Sequence, residues 1–243
     1  MYIVAIIQAR MGSTRLPEKV MKDIGGRTML TRVVRRAARS ELIDEIVVAT
    51  TTKISDNPII AECRRLNVSV FRGDEQDVLD RYYRAAMAHH AGAVVRITSD
   101  CPLIEPNVVD LAIRAFLNER PDYASNSLKR TYPRGLDVEV VTMEALTRAW
   151  QEATEPYQRV HVTPYIYQNP DQFKLLQIEN GSDYSHYRWT VDTQEDLNFV
   201  KAIYSRFGNE DAFTWMDVLS VLAVEPELAE INRHIIQKSL VEG

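Results

Sequence analysis

The sequence predicts an α/β protein built on a Rossmann-like, doubly wound, mainly parallel sheet, with a small inserted region in its second half. Two patterns lead there. Short β-branched runs alternate with stretches of helical periodicity through the first half of the 243 residues, which is the rhythm of parallel strands joined by crossover helices. The first run, Tyr2-Ile3-Val4-Ala5-Ile6-Ile7, is apolar on both faces, as a central parallel strand requires.

Directly after that strand comes Gln8-Ala9-Arg10-Met11-Gly12-Ser13-Thr14-Arg15-Leu16-Pro17-Glu18-Lys19. Gly12 lets backbone approach a ligand, Ser13 and Thr14 bring hydroxyls, and Arg10, Arg15 and Lys19 bring charge. Backbone amides in a turn form a concave anion site that such cations reinforce. A Walker A loop is excluded because Glu18 stands where a glycine must precede the lysine. A dinucleotide fingerprint is excluded because Gly12 is its only glycine. A plain basic surface loop would share the composition but not the placement, since open α/β sheets bind ligands at the carboxyl ends of their strands. A nucleoside triphosphate is the expected ligand.

The remaining elements follow in order. A helix at 28–38 sets Met29, Leu30, Val33, Val34 and Ala37 on one face, and Arg32, Arg35, Arg36 and Arg39 on another, read as a solvated face. Then come a strand at 45–50, a helix at 58–66, a strand at 68–71, a helix at 77–89, a strand at 93–98 and a helix at 107–117. From 121 the rhythm changes to strands at 123–126, 136–141 and 173–178, with helices at 143–152 and 157–167. A strand at 187–191 precedes a helix through Leu197, Val200 and Ile203 and a helical tail with Trp215, Met216, Leu219 and Leu222. One domain is expected, with a nucleotide half at 1–120, an acceptor and interface region at 121–186, and a third section at 187–243.

Composition narrows the function. A net charge of -5, from 29 basic and 34 acidic residues, gives no global pull toward nucleic acid or an anionic membrane. Cys63 and Cys101 lack metal-ligand spacing, the five histidines form no zinc-type cluster, and no leader or long apolar span is visible. A cytoplasmic, reduced protein is expected.

Two aspartates stand just past apolar strands: Asp100 after Val94 to Ser99, and Asp192 after Tyr187 to Val191. With parallel strands, both carboxylates emerge on the edge that carries Arg10 and Lys19. Magnesium is commonly held by one or two carboxylates with phosphate oxygens and water, so Asp100 and Asp192 are the candidate metal ligands. Thr193 with Asp196 resembles a capping box, which frees Asp192 from capping.

The segments 6–19, 70–82, 96–104 and 189–197, in this order, resemble the spore-coat polysaccharide branch of the CMP-sugar cytidylyltransferases, relatives of the acylneuraminate and 3-deoxy-manno-octulosonate enzymes. The resemblance runs from residue 2 to about residue 206. It implies a GT-A-like nucleotidyltransferase fold, a cytoplasmic homodimer, and transfer of CMP from CTP to a sugar acid or similar acceptor with release of pyrophosphate, for cell-surface polysaccharide synthesis. It also implies a CTP site at Ala9, Arg10, Gly12, Ser13, Arg15, Lys19, Thr98 and Ser99, with Arg72, Asp80 and Arg81 closing over the nucleotide, and magnesium on Asp100 and Asp192. Arg10, Lys19 and Asp100 carry the catalytic roles, with Asp100 or a metal-bound water as the candidate base. Two departures stand out: Glu18 replaces the usual glycine, and Gln194 replaces a common proline.

The acceptor is expected at Arg134, Asp137, Glu139, Arg159, His161 and Tyr165. Arg134 or Arg159 suits a carboxylate, and Asp137 and Glu139 share one face of the 136–141 strand. A dimer interface is expected from Tyr157, Tyr165, Tyr167 and Phe173. Two rivals, a GT-A glycosyltransferase and a non-catalytic nucleotide-binding protein, would share the nucleotide half. The former is disfavoured by Thr98 where an Asp-x-Asp motif needs an acid.

Overall fold

The computed structural model describes residues 1–238, so 239–243 of the third expected section lie outside it. The strands are β1 (Ile3–Gln8), β2 (Asp23–Ile24), β3 (Arg27–Thr28), β4 (Glu45–Thr51), β5 (Ser69–Gly73), β6 (Ala93–Thr98), β7 (Tyr123–Ser125), β8 (Glu139–Thr142) and β9 (Leu175–Gln177). The helices are α1 (Met29–Ala37), α2 (Asn57–Leu66), α3 (Val78–Ala88), α4 (Pro106–Glu119), α5 (Met143–Glu152), α6 (Pro156–His161), α7 (Pro164–Tyr167), α8 (Gln194–Arg206), α9 (Trp215–Val224) and α10 (Glu227–Glu230).

Seven strands form one sheet in the order β5-β4-β1-β6-β8-β7-β9. β1 pairs in parallel with β4 and β6, and β8 alone runs antiparallel to its neighbours. The alternation of β1 explains its central place. Ala5 and Ile7 face a core shared with α1, α4 and α8, while Val4 and Ile6 face a second core under α3 and α5. Gln8 lies opposite both Ala49 and Thr98. The loops after β1, β4 and β6 therefore leave the sheet side by side.

Three sequence expectations are corrected. Arg32 and Arg36 do not solvate α1: both are fully buried. Arg32 pairs with Asp211 at 2.9 Å and lies over the Tyr204 ring, and Arg36 lies over Phe213 and bonds the carbonyls of Ile104, Asp211 and Phe213. The expected helix at 157–167 is two short helices. Thr163 N–H donates to His161 O at 3.0 Å, closing a γ-turn about Val162, whose φ is 76°, and Pro164 could not have donated within a continuous helix. The stretch 187–191 makes only one bridge, Arg134 to Arg188. Its partner turns away at Gly135, whose φ is 110° and where a Cβ would meet Thr190 N at 2.7 Å.

The expected interface aromatics turn partly inward. Phe173 is buried and meets Tyr165 edge-on, and Tyr167 packs near Tyr123.

Candidate active site

The loop after β1 is shaped from below by a residue that the sequence did not single out. Asp56, 2% exposed, accepts Met11 N–H at 2.8 Å and Thr51 N–H at 3.3 Å, together with the hydroxyls of Thr50 and Thr51. Ala9 N–H still donates to Ala49 O at 3.1 Å, so Ala9 continues the sheet. Ser13 Oγ accepts Leu16 N–H at 3.3 Å, Leu16 and Val20 are sunk in the core, and Glu18 N–H returns to Met11 O at 3.2 Å. Glu18 has φ 56°. That left-handed conformation costs a residue with a Cβ about 1–2 kcal/mol, which is the physical reason a glycine suits this position.

Glu18 also caps the short 3-10 turn Lys19–Met21, and the turn aims Lys19 across the sheet edge. Its Nζ donates to Asp100 Oδ2 at 2.9 Å, Asp192 Oδ1 at 2.8 Å and Val191 O at 3.0 Å. The three expected residues thus meet at one point. Burial alone would lower the Lys19 pKa, but Asp100 and Asp192 outweigh it and hold the ammonium charged. Burial likewise works against the Asp100 carboxylate, yet Lys19, with hydrogen bonds from Thr98 and Cys101, brings its pKa below the ordinary value.

Asp192 is reached by two more cations. Arg15 Nη2 lies 3.1 Å and Arg188 Nη2 2.8 Å from its Oδ2. Arg188 also binds Asp196 at 2.9 Å through Nε, and Asp196 caps α8 in a reciprocal capping box with Thr193. The capping box expected from sequence does free Asp192. Arg188 is a functional neighbour of Asp192 that a strand reading of 187–191 does not single out.

The chain holding Asp100 is set by the same neighbours. Ser99 N–H donates to Gln8 O at 3.2 Å, and Val191 N–H donates to Asp100 O at 2.8 Å. Thr98 Oγ1 lies 3.2 Å from Cys101 Sγ. Arg10, 49% exposed in its side chain, reaches toward Glu75 beside Gly12.

Other expected nucleotide residues play supporting parts. Arg72 bonds Thr51 O and Lys53 O, each at 2.9 Å. Asp80 accepts Trp150 Nε1–H at 2.9 Å and pairs with Arg84, away from the loop. Arg81 is buried and donates to Asp74 O at 2.7 Å.

The expected acceptor residues are tied to different partners. Arg159 is bound to Asp77 and to Trp150 O, and Tyr165 to Glu152. Glu139, at the start of β8, is held by Arg96, Tyr123 and Thr163, while Asp137 pairs with Arg130 before that strand begins. The two acids therefore do not share a strand face. His161 ends α6 and is the first residue of the γ-turn. Arg134 differs from all of these. Its backbone bridges that of Arg188, and its guanidinium makes no hydrogen bond or ion pair among the described residues. Burial, then the charge of Arg130, pulls its pKa below the ordinary arginine value, with Asp137 opposing. An anion there would relieve both penalties.

A parallel-centred sheet with a cationic loop after its central strand and two carboxylates converging beside that loop is the arrangement of a nucleotidyltransferase-type protein. The cytidylyltransferase family model matches residues 4–215. The chain belongs to the cytidylyltransferase family. It is 33% identical over 238 residues to the Bacillus subtilis spore coat polysaccharide biosynthesis protein SpsF, covering 93% of this chain and 96% of that one. A solved cytidylyltransferase of Leptospira borgpetersenii superposes with a TM-score of 0.91 at 34% identity, covering 98% of this chain and all of that one. The CMP:2-keto-3-deoxy-manno-octonic acid synthetase solved with CTP shares the fold, with a TM-score of 0.65 at 19% identity over 85% of this chain and all of that one. Among the described residues, no helix is long and apolar enough to cross a membrane.

Proposed function

We propose that this protein transfers CMP from CTP to a carboxylate-bearing sugar acid and releases pyrophosphate. The observation that carries the reading is the meeting of Asp100, Asp192 and Lys19 beside the cationic loop. Both carboxylates already bind one cation, the Lys19 ammonium, so their donor set fits a hard divalent ion. Among the described residues no group of three or more acids, histidines or cysteines could hold a metal unaided, and triphosphate and water would complete the shell. Magnesium on Asp100 and Asp192 would neutralise charge on the phosphates.

The chain's own residues do the rest. Arg10, Arg15 and the amides of the Gly12 loop receive the triphosphate, and Lys19, poised between Asp100 and Asp192, adds its charge beside the phosphates. The acceptor hydroxyl attacks the α-phosphorus, forming the new P–O bond as the bond to pyrophosphate breaks, and its proton leaves to solvent water at the open strand edge. Asp100 serves as a charge anchor beside the phosphates. Arg134 takes the acceptor's carboxylate, preferred over Arg159, whose guanidinium is already committed to Asp77. The likeness to SpsF supports a role in surface polysaccharide synthesis, and the buried free thiols of Cys63 and Cys101 suit a reducing cytoplasm. The working form is a homodimer.

The test is pyrophosphate release with magnesium, each of the four NTPs and a panel of sugar acids. Release should require CTP and one acid, fall at least ~100-fold in Asp100→Ala and Asp192→Ala, and in Arg134→Met show a raised KM for the acid. Unchanged turnover in both aspartate variants would overturn the mechanism.

A further inference from the structure

Glu75, in the loop between β5 and α3, leans back over the phosphate loop. Its Oε1 lies 4.0 Å from Arg10 Nη1 and 3.8 Å from where a Cβ on Gly12 would sit. Its Oε2 pairs with Lys53 Nζ. An anionic group therefore already covers the one residue of the loop that has no side chain, clasped by cations from the loops after β1 and β4.

Lys53 is held in that place. Arg72 bonds its carbonyl at 2.9 Å, and its N–H donates to Thr51 Oγ1 at 3.1 Å. Thr51 in turn is tied to Asp56, the residue that also binds Met11 N–H. Lys53 and the phosphate loop thus hang from one buried carboxylate, which fixes their separation. The loop carrying Glu75 is braced as well: Asp74 accepts the N–H groups of Gln76 at 2.7 Å and Asp77 at 2.9 Å.

The clasp is built to open. The Lys53 and Arg10 side chains are 58% and 49% exposed, and ion pairs so exposed contribute little to stability. A polyphosphate brings more charge and more acceptor oxygens than a carboxylate does, and would win the same cations. We propose that Lys53 is a further cation of the triphosphate seat, beside Arg10, Arg15 and Lys19, and that Glu75 fills this seat in the free protein, giving it up when polyphosphate arrives. The inference rests on the nucleotidyl-transfer reading but names residues that reading does not use. Glu75 then sets a charge threshold: a ligand with several phosphates displaces it, and a weakly charged one does not.

The test measures binding of CTP, sodium tripolyphosphate and cytidine by calorimetry to the wild type, Glu75→Gln and Lys53→Met. Glu75→Gln should bind CTP and tripolyphosphate about twofold to fivefold more tightly, and Lys53→Met more weakly by a similar factor, the range expected for an exposed ion pair. Lys53→Arg should restore binding, and cytidine should respond to neither change. CTP binding equal in all variants would overturn the inference and leave the nucleotide reading intact. So would a cytidine response that tracks CTP. Tripolyphosphate binding that shifts as expected while CTP fails to bind would support the seat and sink the nucleotide reading. Failure of both anions to bind the wild type would overturn both.

Discussion

Replacing Lys19 by methionine keeps an unbranched apolar stem and deletes only the ammonium. Its loss does not fall evenly on the two aspartates. Asp192 keeps Arg15 at 3.1 Å and Arg188 at 2.8 Å, whereas Asp100 is left with neutral donors such as Cys101 Sγ at 3.6 Å. Removing one partner of a buried pair costs roughly 3–5 kcal/mol. The Lys19 and Asp100 side chains are 14% and 24% exposed, so partial solvation reduces this to about 2–3 kcal/mol. Urea unfolding of the wild type, Lys19→Met, Asp100→Asn and the double variant measures it. The double variant should recover about 2 kcal/mol of what Lys19→Met loses, because no charge is then stranded. The pH dependence has a definite sign. Lys19 brings the Asp100 pKa down despite burial, so the stabilisation is complete above the ordinary carboxyl value of 3.8 and fades as pH falls through the lower folded value. Additivity of the two substitutions within ~0.5 kcal/mol would refute the ion pair of Lys19 with Asp100.

Two further outcomes are expected. Glu18→Gly should raise the urea midpoint by the equivalent of about 0.5–1 kcal/mol, the left-handed penalty less the entropy that glycine adds to the unfolded chain; a lower midpoint would mean that Glu18 is not strained. Glu62, bonded first by Arg65 and then, against some burial, by Thr31 and Thr28, has its pKa lowered from 4.5 to about 2. Its contribution is therefore present above 4.5 and lost as pH falls toward 2. Thermal melts of the wild type and Glu62→Gln should converge across that window, and a constant gap would contradict it.

Local pattern made the centre of the fold legible. β6 and α5 carry the expected limits because a buried apolar run and a Thr-initiated amphipathic stretch each encode their own ends. Asp100 and the cationic loop could be placed because strand polarity fixes which edge a following residue reaches. What stayed hidden depends on partners far along the chain. Arg32 and Arg36 read as solvated because the segment that buries them, 204–213, lies about 170 residues away, as the 175-residue separation of Arg36 and Asp211 shows. The 187–191 stretch has the alternation of a strand, but Gly135 denies it a partner to lengthen the ladder. Asp56 carries no local signal of its role, because only the fold brings Met11 onto it.

The ion cluster of Lys19, Asp100 and Asp192 also bears on synthesis. Lys19 and Asp192 are 173 positions apart, and Arg188 is joined to Gln237 near the end of the described chain. A chain emerging from the ribosome can pair β1, β4 and β6 early, yet Asp100 then has Lys19 without its second carboxylate. The charge balance closes only once Asp192 has emerged, so the ion cluster should form late, well after the strands that carry Lys19 and Asp100 have paired.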